Sequence, residues 1–131
     1  MAISTVGAQK TNAVTNGQPS VTLDGTPAVN AGDLLVWQAG GNADFDQYLK
    51  PTGWITLVSK ANSAATQWAG IAVKIATGGE EGDTFTSSGT GLAAFVVLRV
   101  FRPSSGWVLD PAIDANFRQS NSGTGTGFTL T

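Results

Sequence analysis

The sequence predicts an all-β domain, an antiparallel β-sandwich of the jelly-roll or immunoglobulin-like kind. Three observations carry that prediction. Turn dipeptides recur at short intervals: Asn16-Gly17, Asp24-Gly25, Gly32-Asp33, Gly40-Gly41, Gly78-Gly79 and Ser88-Gly89. Apolar runs of strand length lie between them, a spacing that marks sandwiches and barrels. Charged residues are only 12% of the chain, about half the usual share. The Gly, Ser and Thr that take their place favour turns and strands over helices.

The elements follow in order. Segment 20–23 is short, with Val21 and Leu23 on one face. Segment 34–39 begins directly after Gly32-Asp33 and is almost wholly apolar. Segment 54–60 starts after the Pro51-Thr52-Gly53 turn and sets Ile55 and Leu57 opposite Trp54, Thr56 and Val58. Segment 67–76 alternates cleanly. Ala69, Ile71, Val73 and Ile75 face one way, while Trp68, Gly70, Ala72 and Lys74 face the other. Its period of two and its β-branched residues favour a strand over the helix that its alanines would allow. Trp68 is expected to cover its small neighbours on an outer surface. Segment 83–87 is short and Thr-rich. Segment 92–102 is apolar on both faces as far as Arg99, which predicts a central strand. A Ser/Gly/Thr linker then leads to an alternating segment at 128–130. The expected organisation is therefore one sandwich domain over residues 1–119 and a linker with a terminal strand over 120–131. That last strand is expected to pair externally or to continue past Thr131.

Composition narrows the chemistry. The 131 residues include no His and no Cys. Ser-His-Asp and thiolate nucleophiles, most zinc sites and any disulfide framework are thereby removed. Seven Lys and Arg residues face nine Asp and Glu. The basic residues are scattered, with only Arg99 and Arg102 close together, so nothing resembles the basic stripe that phosphate backbones reward. No apolar run approaches the roughly 20 residues of a membrane span, and the N-terminal segment lacks the charged and apolar regions of a signal peptide. The expectation is a non-enzymatic module with no cofactor, no nucleic-acid partner and no membrane association.

Carboxylates and aromatics supply the remaining candidates. Asp44 and Asp46 alternate as calcium ligands do, but too few ligands accompany them, and a solvated loop is the plainer reading. Glu80, Glu81 and Asp83 form an acidic turn suited to keeping an edge soluble or to meeting a basic partner. Asp110 and Asp114 flank Pro111-Ala112-Ile113, a carboxylate pair with no defined cleft. Arg99 and Arg102, with Glu80 and Glu81, are the candidate partner contacts. Among the aromatics, Trp37 belongs to the core and Trp54 to the end of the core. Tyr48 and Trp107 sit beside turns and are the candidate glycan contacts.

The order of features resembles a group of small β-sandwich virion proteins of tailed bacteriophages and prophages. The resemblance is carried by the opening Met1-Ala2-Ile3-Ser4-Thr5-Val6-Gly7-Ala8 and by Ala31-Gly32-Asp33-Leu34-Leu35-Val36. It continues through Pro51-Thr52-Gly53-Trp54, then Lys74-Ile75-Ala76-Thr77-Gly78-Gly79-Glu80, and through the strands near 84–86 and 94–100. It covers roughly residues 1–102 and rests mostly on structural turns. It implies a virion component, a capsid-surface decoration (cement) protein or a tail-fibre module, without shared catalytic residues. Its partners would be a major capsid protein, tail proteins or further copies of itself. A trimer is the preferred oligomer because a small domain without disulfides gains stability from assembly. Members of the group often continue into a second half opened by another Gly-Asp-led strand, a feature not present here. The alternative function is a tail-fibre or carbohydrate-binding module that contacts host glycans.

Overall fold

The computed structural model describes residues 3–104. Eight strands and one helical turn follow in order. They are β1 (Ile3–Thr5), β2 (Lys10–Gly17), β3 (Ser20–Thr22), β4 (Leu34–Gly41), the turn Phe45–Leu49, β5 (Ile55–Ala61), β6 (Trp68–Ile75), β7 (Thr84–Thr86) and β8 (Leu92–Pro103). The predicted linker and strand over 120–131 lie outside the described residues, as do Trp107, Asp110 and Asp114.

Six strands make one antiparallel sheet in the order β1-β8-β4-β6-β5. β2 joins the same side of β8 as β1. β1 pairs the C-terminal part of β8, from Ile3 opposite Pro103, and β2 its N-terminal part, from Lys10 opposite Leu98. β3 and β7 form a second, two-stranded sheet. The two sheets pack face to face, so the all-β sandwich read from the turn spacing is the architecture found.

β8 is internal, as its two apolar faces require. Leu92, Ala94, Val96, Leu98 and Val100 alternate into the core, and β4 adds Leu35, Trp37 and Ala39 beside them. From the small sheet and its flanking loops come Val21, Leu23 and Val29. Trp54 lies between the layers, edge-on to Trp37 at 6.2 Å and to Phe85 at 5.4 Å. Such pairs add about 0.5–1.5 kcal/mol beyond the area they bury. Trp37 is wholly enclosed, and its indole N–H donates to the Leu49 carbonyl at 2.8 Å. The bond satisfies both buried groups.

β6 corrects the expected orientation of its faces. The small-residue face, with Gly70 and Ala72, turns into the core, and Trp68 packs against the core edge rather than over an outer surface. The aliphatic face, with Ala69, Ile71, Val73 and Ile75, looks outward, with Ile75 exposed, Ala69 and Ile71 half-buried and Val73 covered. The reason lies in the segment 44–49, read from sequence as a loop. It folds into one wide helical turn in which the Asp44 carbonyl accepts from Tyr48 N–H at 2.9 Å and Leu49 N–H at 3.3 Å. The Asp44 carboxylate caps the turn by accepting from Gln47 N–H at 3.0 Å. The turn drives Phe45 into the core directly onto Gly70, where a Cβ would stand 2.6 Å from ring atoms. Only glycine leaves room for that ring.

β2 was not foreseen as a strand. Its sequence, Lys-Thr-Asn-Ala-Val-Thr-Asn-Gly, is polar and mostly exposed, so it lacks the alternation that marks a half-buried strand. Pairing with β8 holds it in place, and its polar side chains suit an edge. The Lys10 ammonium ties it to the β3 loop through the Asp24 carbonyl and, at 3.1 Å, the Asp24 carboxylate.

Candidate functional site

Most of the charged residues singled out from sequence are occupied within the fold. Strand alternation sends Arg99 and Arg102 to opposite faces of β8, so the apparent cluster separates. The Arg102 guanidinium grips Asp33 through Nε–Oδ1 at 2.9 Å and Nη2–Oδ2 at 2.7 Å, and donates to the Ala28 carbonyl at 2.8 Å. Asp33 is only 2% exposed and also accepts from Asn30 N–H at 2.8 Å. The Arg102 bonds hold the Asp33 carboxyl below its usual range, against the opposing pull of burial. Arg102 is thus a clamp on the β3–β4 loop. Arg99 stays on the surface, where it donates to the Gln9 side chain.

Glu80 requires a similar correction. It is 3% exposed, not a solvated contact residue. Its carboxylate accepts from Thr77 N–H at 2.7 Å, the Thr77 hydroxyl at 2.9 Å and Gly78 N–H at 2.9 Å, with the Lys74 ammonium 3.6 Å away. Burial is the largest single influence and pushes its pKa up, but the combined donations from Thr77 and Gly78 outweigh it and the net shift is downward. Glu81 accepts from Val29 N–H at 2.9 Å and so joins the two loops at this end of the sandwich. The acidic turn is a latch.

Asp44 and Asp46 do not form a calcium loop either. Asp44 is the cap of the helical turn. Asp46 accepts from the hydroxyls of Thr56 and, at 2.8 Å, Ser59, which fastens that turn to β5. The Thr56 bond leads the influences that lower the Asp46 pKa. Among the described residues no cluster of three or more acidic, His or Cys side chains is arranged to hold a metal. Tyr48 is exposed on the helical turn and packs beside Gly89. Its proposed companion, Trp107, lies outside the described residues.

The feature that sequence reasoning missed is the outer face of the large sheet. Register places its side chains in four rows. Phe101, Leu34 and Ile75 form the first. Arg99, Val36, Val73 and Ile55 form the second. Val97, Gln38, Ile71 and Val58 form the third, and Phe95, Gly40, Ala69 and Lys60 the fourth. Arg99 and Lys60 are the only charges among them. The small sheet packs on the opposite face, so Ile55 and Ile75 stand open at the first two rows and Phe95 at the fourth. A bulge between Thr56 and Val58 adds Leu57 as a further exposed apolar residue on the β5 edge. Leu34 and Val73 are covered and Val36, Ile71, Val97 and Val58 are half-buried, so the exposed apolar residues are Ile55, Leu57 and Ile75 on β5 and β6 and Phe95 on β8. Grouped exposed apolar side chains mark an interaction site in a folded protein. The signal was present in the sequence, because β6 and β8 are apolar on both faces.

The fourth row also borders a groove of about 700 Å3 at the end of the sheet, lined by Gly40, Gly41, Asn42, Lys60, Asn62, Gln67, Trp68, Ala69 and Phe95 among others. A smaller hollow of about 210 Å3 lies between Thr5, Gln9 and Arg99. Comparison with known proteins returned no matching family model, no similar curated protein and no similar solved structure.

Proposed function

We propose that this protein is a structural component of a tailed-phage virion, a capsid-surface decoration or cement protein that packs against neighbouring subunits. One observation carries the reading: the aliphatic margin of the large sheet's outer face, where Ile55 and Ile75 are 55% and 41% exposed and Val36 is half-buried, while Leu34 and Val73 beside them are covered. A flat, nearly uncharged sheet face offers area for burial but few groups for chemistry. Interfaces between assembled subunits have that character, since their cores are depleted in charge. The resemblance to small β-sandwich virion proteins supports the same reading. Arg102 and Glu80 are taken up by the fold, so the contact with neighbours would rest mainly on apolar side chains, with Arg99 the charge in their second row.

Mass spectrometry of gradient-purified virions from a phage encoding this chain is expected to find it at a fixed copy number. The paired substitutions Ile55→Lys and Ile75→Lys place charge on the packing surface and leave the core alone. They are expected to abolish self-association in light scattering and incorporation into particles, without a loss of thermal stability. Virions that lack the chain, or a double variant that assembles normally, would overturn the proposal. The tail-fibre or glycan-binding alternative draws support from a different place on the molecule.

A further inference from the structure

The groove at the fourth row lies about 20 Å from the first, taking the six residues from Leu34 to Gly40 along β4 at a strand's rise per residue. It is distinct from the aliphatic packing surface, and a ligand site there goes beyond the assembly reading and does not depend on it. Its volume, about 700 Å3, falls in the range of small-molecule sites.

Its floor is unusual for a sheet. Gly40 has no side chain, and the Phe95 ring leans across from β8 to lie over its backbone. A Cβ on Gly40 would stand 2.7 Å from that ring. Phe95 as a residue is 50% exposed and lines the groove, so it offers an aromatic surface there. The strands beneath, β4, β6 and β8, are internal, and their backbone groups are already paired. The floor therefore has no free edge to which a peptide strand could add.

The rim supplies polar groups that the fold does not use. Asn42 accepts from Ala93 N–H through Oδ1 at 2.9 Å, which anchors its amide and leaves Nδ2 without a partner among the described residues. Asn62 accepts from Thr66 N–H at 2.8 Å and Gln67 N–H at 3.2 Å. Those bonds fix the β5–β6 hairpin on which Lys60 and Gln67 stand. The Gln67 side-chain amide has no hydrogen-bond partner among the described residues, and no carboxylate there pairs with the Lys60 ammonium. None of the described residues lining the groove is acidic.

An aromatic floor accepts the C–H face of a pyranose ring. Spare amides match hydroxyl groups, which both donate and accept. One unpaired cation matches one carboxylate and is far too little for a nucleic-acid backbone. We propose that this groove, with Phe95 as its stacking surface and Lys60 as its counter-charge, binds a carboxylated oligosaccharide. The glycan site is thereby placed at Phe95, Lys60, Gln67 and Asn42, and not at Tyr48.

The test is calorimetric titration of the full chain with tetragalacturonate, a hyaluronan tetrasaccharide and 3′-sialyllactose, and with methyl-esterified tetragalacturonate and maltotetraose as uncharged counterparts. At least one acidic probe is expected to bind in a saturable way, more tightly than the uncharged ones. Phe95→Ala is expected to weaken it by roughly tenfold or more. Lys60→Gln, an exposed change that leaves the fold intact, should erase the preference for the acidic form, and Tyr48→Ala should change nothing. The proposal is overturned if no acidic probe binds at concentrations up to about 10 mM, if uncharged probes bind equally well, or if affinity is unchanged in both Phe95→Ala and Lys60→Gln.

Discussion

Replacing Gly70 by alanine is the sharpest test of how the sandwich is packed. On an open strand this change is helpful, because alanine is better than glycine by about 0.5–1 kcal/mol within regular structure. Here the new methyl would stand 2.6 to 2.7 Å from three atoms of the Phe45 ring, which is itself fully enclosed. Real carbon atoms do not approach so closely, so the ring or the strand must shift, at a cost of about 1–3 kcal/mol. Phe45→Ala alone empties the site and costs about 3–5 kcal/mol. In the double variant the clash is gone and the methyl added at position 70 partly refills the space. Its destabilisation should therefore fall short of the sum of the single changes by about 1–3 kcal/mol. Urea unfolding measures all three, followed by the fluorescence of the buried Trp37 and Trp54. A neutral or stabilising Gly70→Ala, or strict additivity, would mean that the small-residue face of β6 does not carry the helical turn.

Two further outcomes follow from the buried polar groups. Asp33 and Glu80 both have lowered carboxyl pKa values in the folded state. Their contribution is complete above the ordinary carboxylate range and disappears as pH falls through the lowered folded values. Stability should therefore drop on the acid side, and Glu80→Gln should flatten that limb and cost about 1–3 kcal/mol at neutral pH by leaving a turn N–H without an acceptor; an unaltered acid limb would refute the latch. Trp37→Phe deprives the Leu49 carbonyl of its indole donor. It should lower the urea midpoint by an amount equivalent to about 1–3 kcal/mol, and an unchanged midpoint would show that the bond contributes nothing.

Much of the framework was legible before any coordinates. The Gly32-Asp33 turn marked the start of β4, although Gly40-Gly41, read as a turn, belong to its end, and the period-two pattern of residues 67–76 correctly excluded a helix. Apolarity on both faces correctly predicted an internal β8. These are local properties: a dihedral preference or an alternation is contained within a few residues. β2 escaped because a polar edge strand is held by its neighbour's ladder, which leaves no trace in its own side chains. The helical turn escaped because five residues show no helical period.

The candidate sites were harder to read, and for a related reason. Arg99 and Arg102 are near neighbours in sequence, yet alternation puts them on opposite faces, and only the return of the 28–33 loop gives Arg102 its partner. Glu80 reads as surface charge because its ligands are mostly backbone N–H groups, which every residue but proline possesses. The groove joins β2, β4, β5, β6 and β8, whose residues lie as far apart as Val14 and Phe95. The sequence by itself determined that this protein is a sandwich with no His or Cys chemistry and with apolar strands on both sides. The tertiary structure decided which of those sides is covered. A strand's pattern specifies two faces but not which one meets the core; here the choice fell to Phe45, whose ring fits only where Gly70 leaves space.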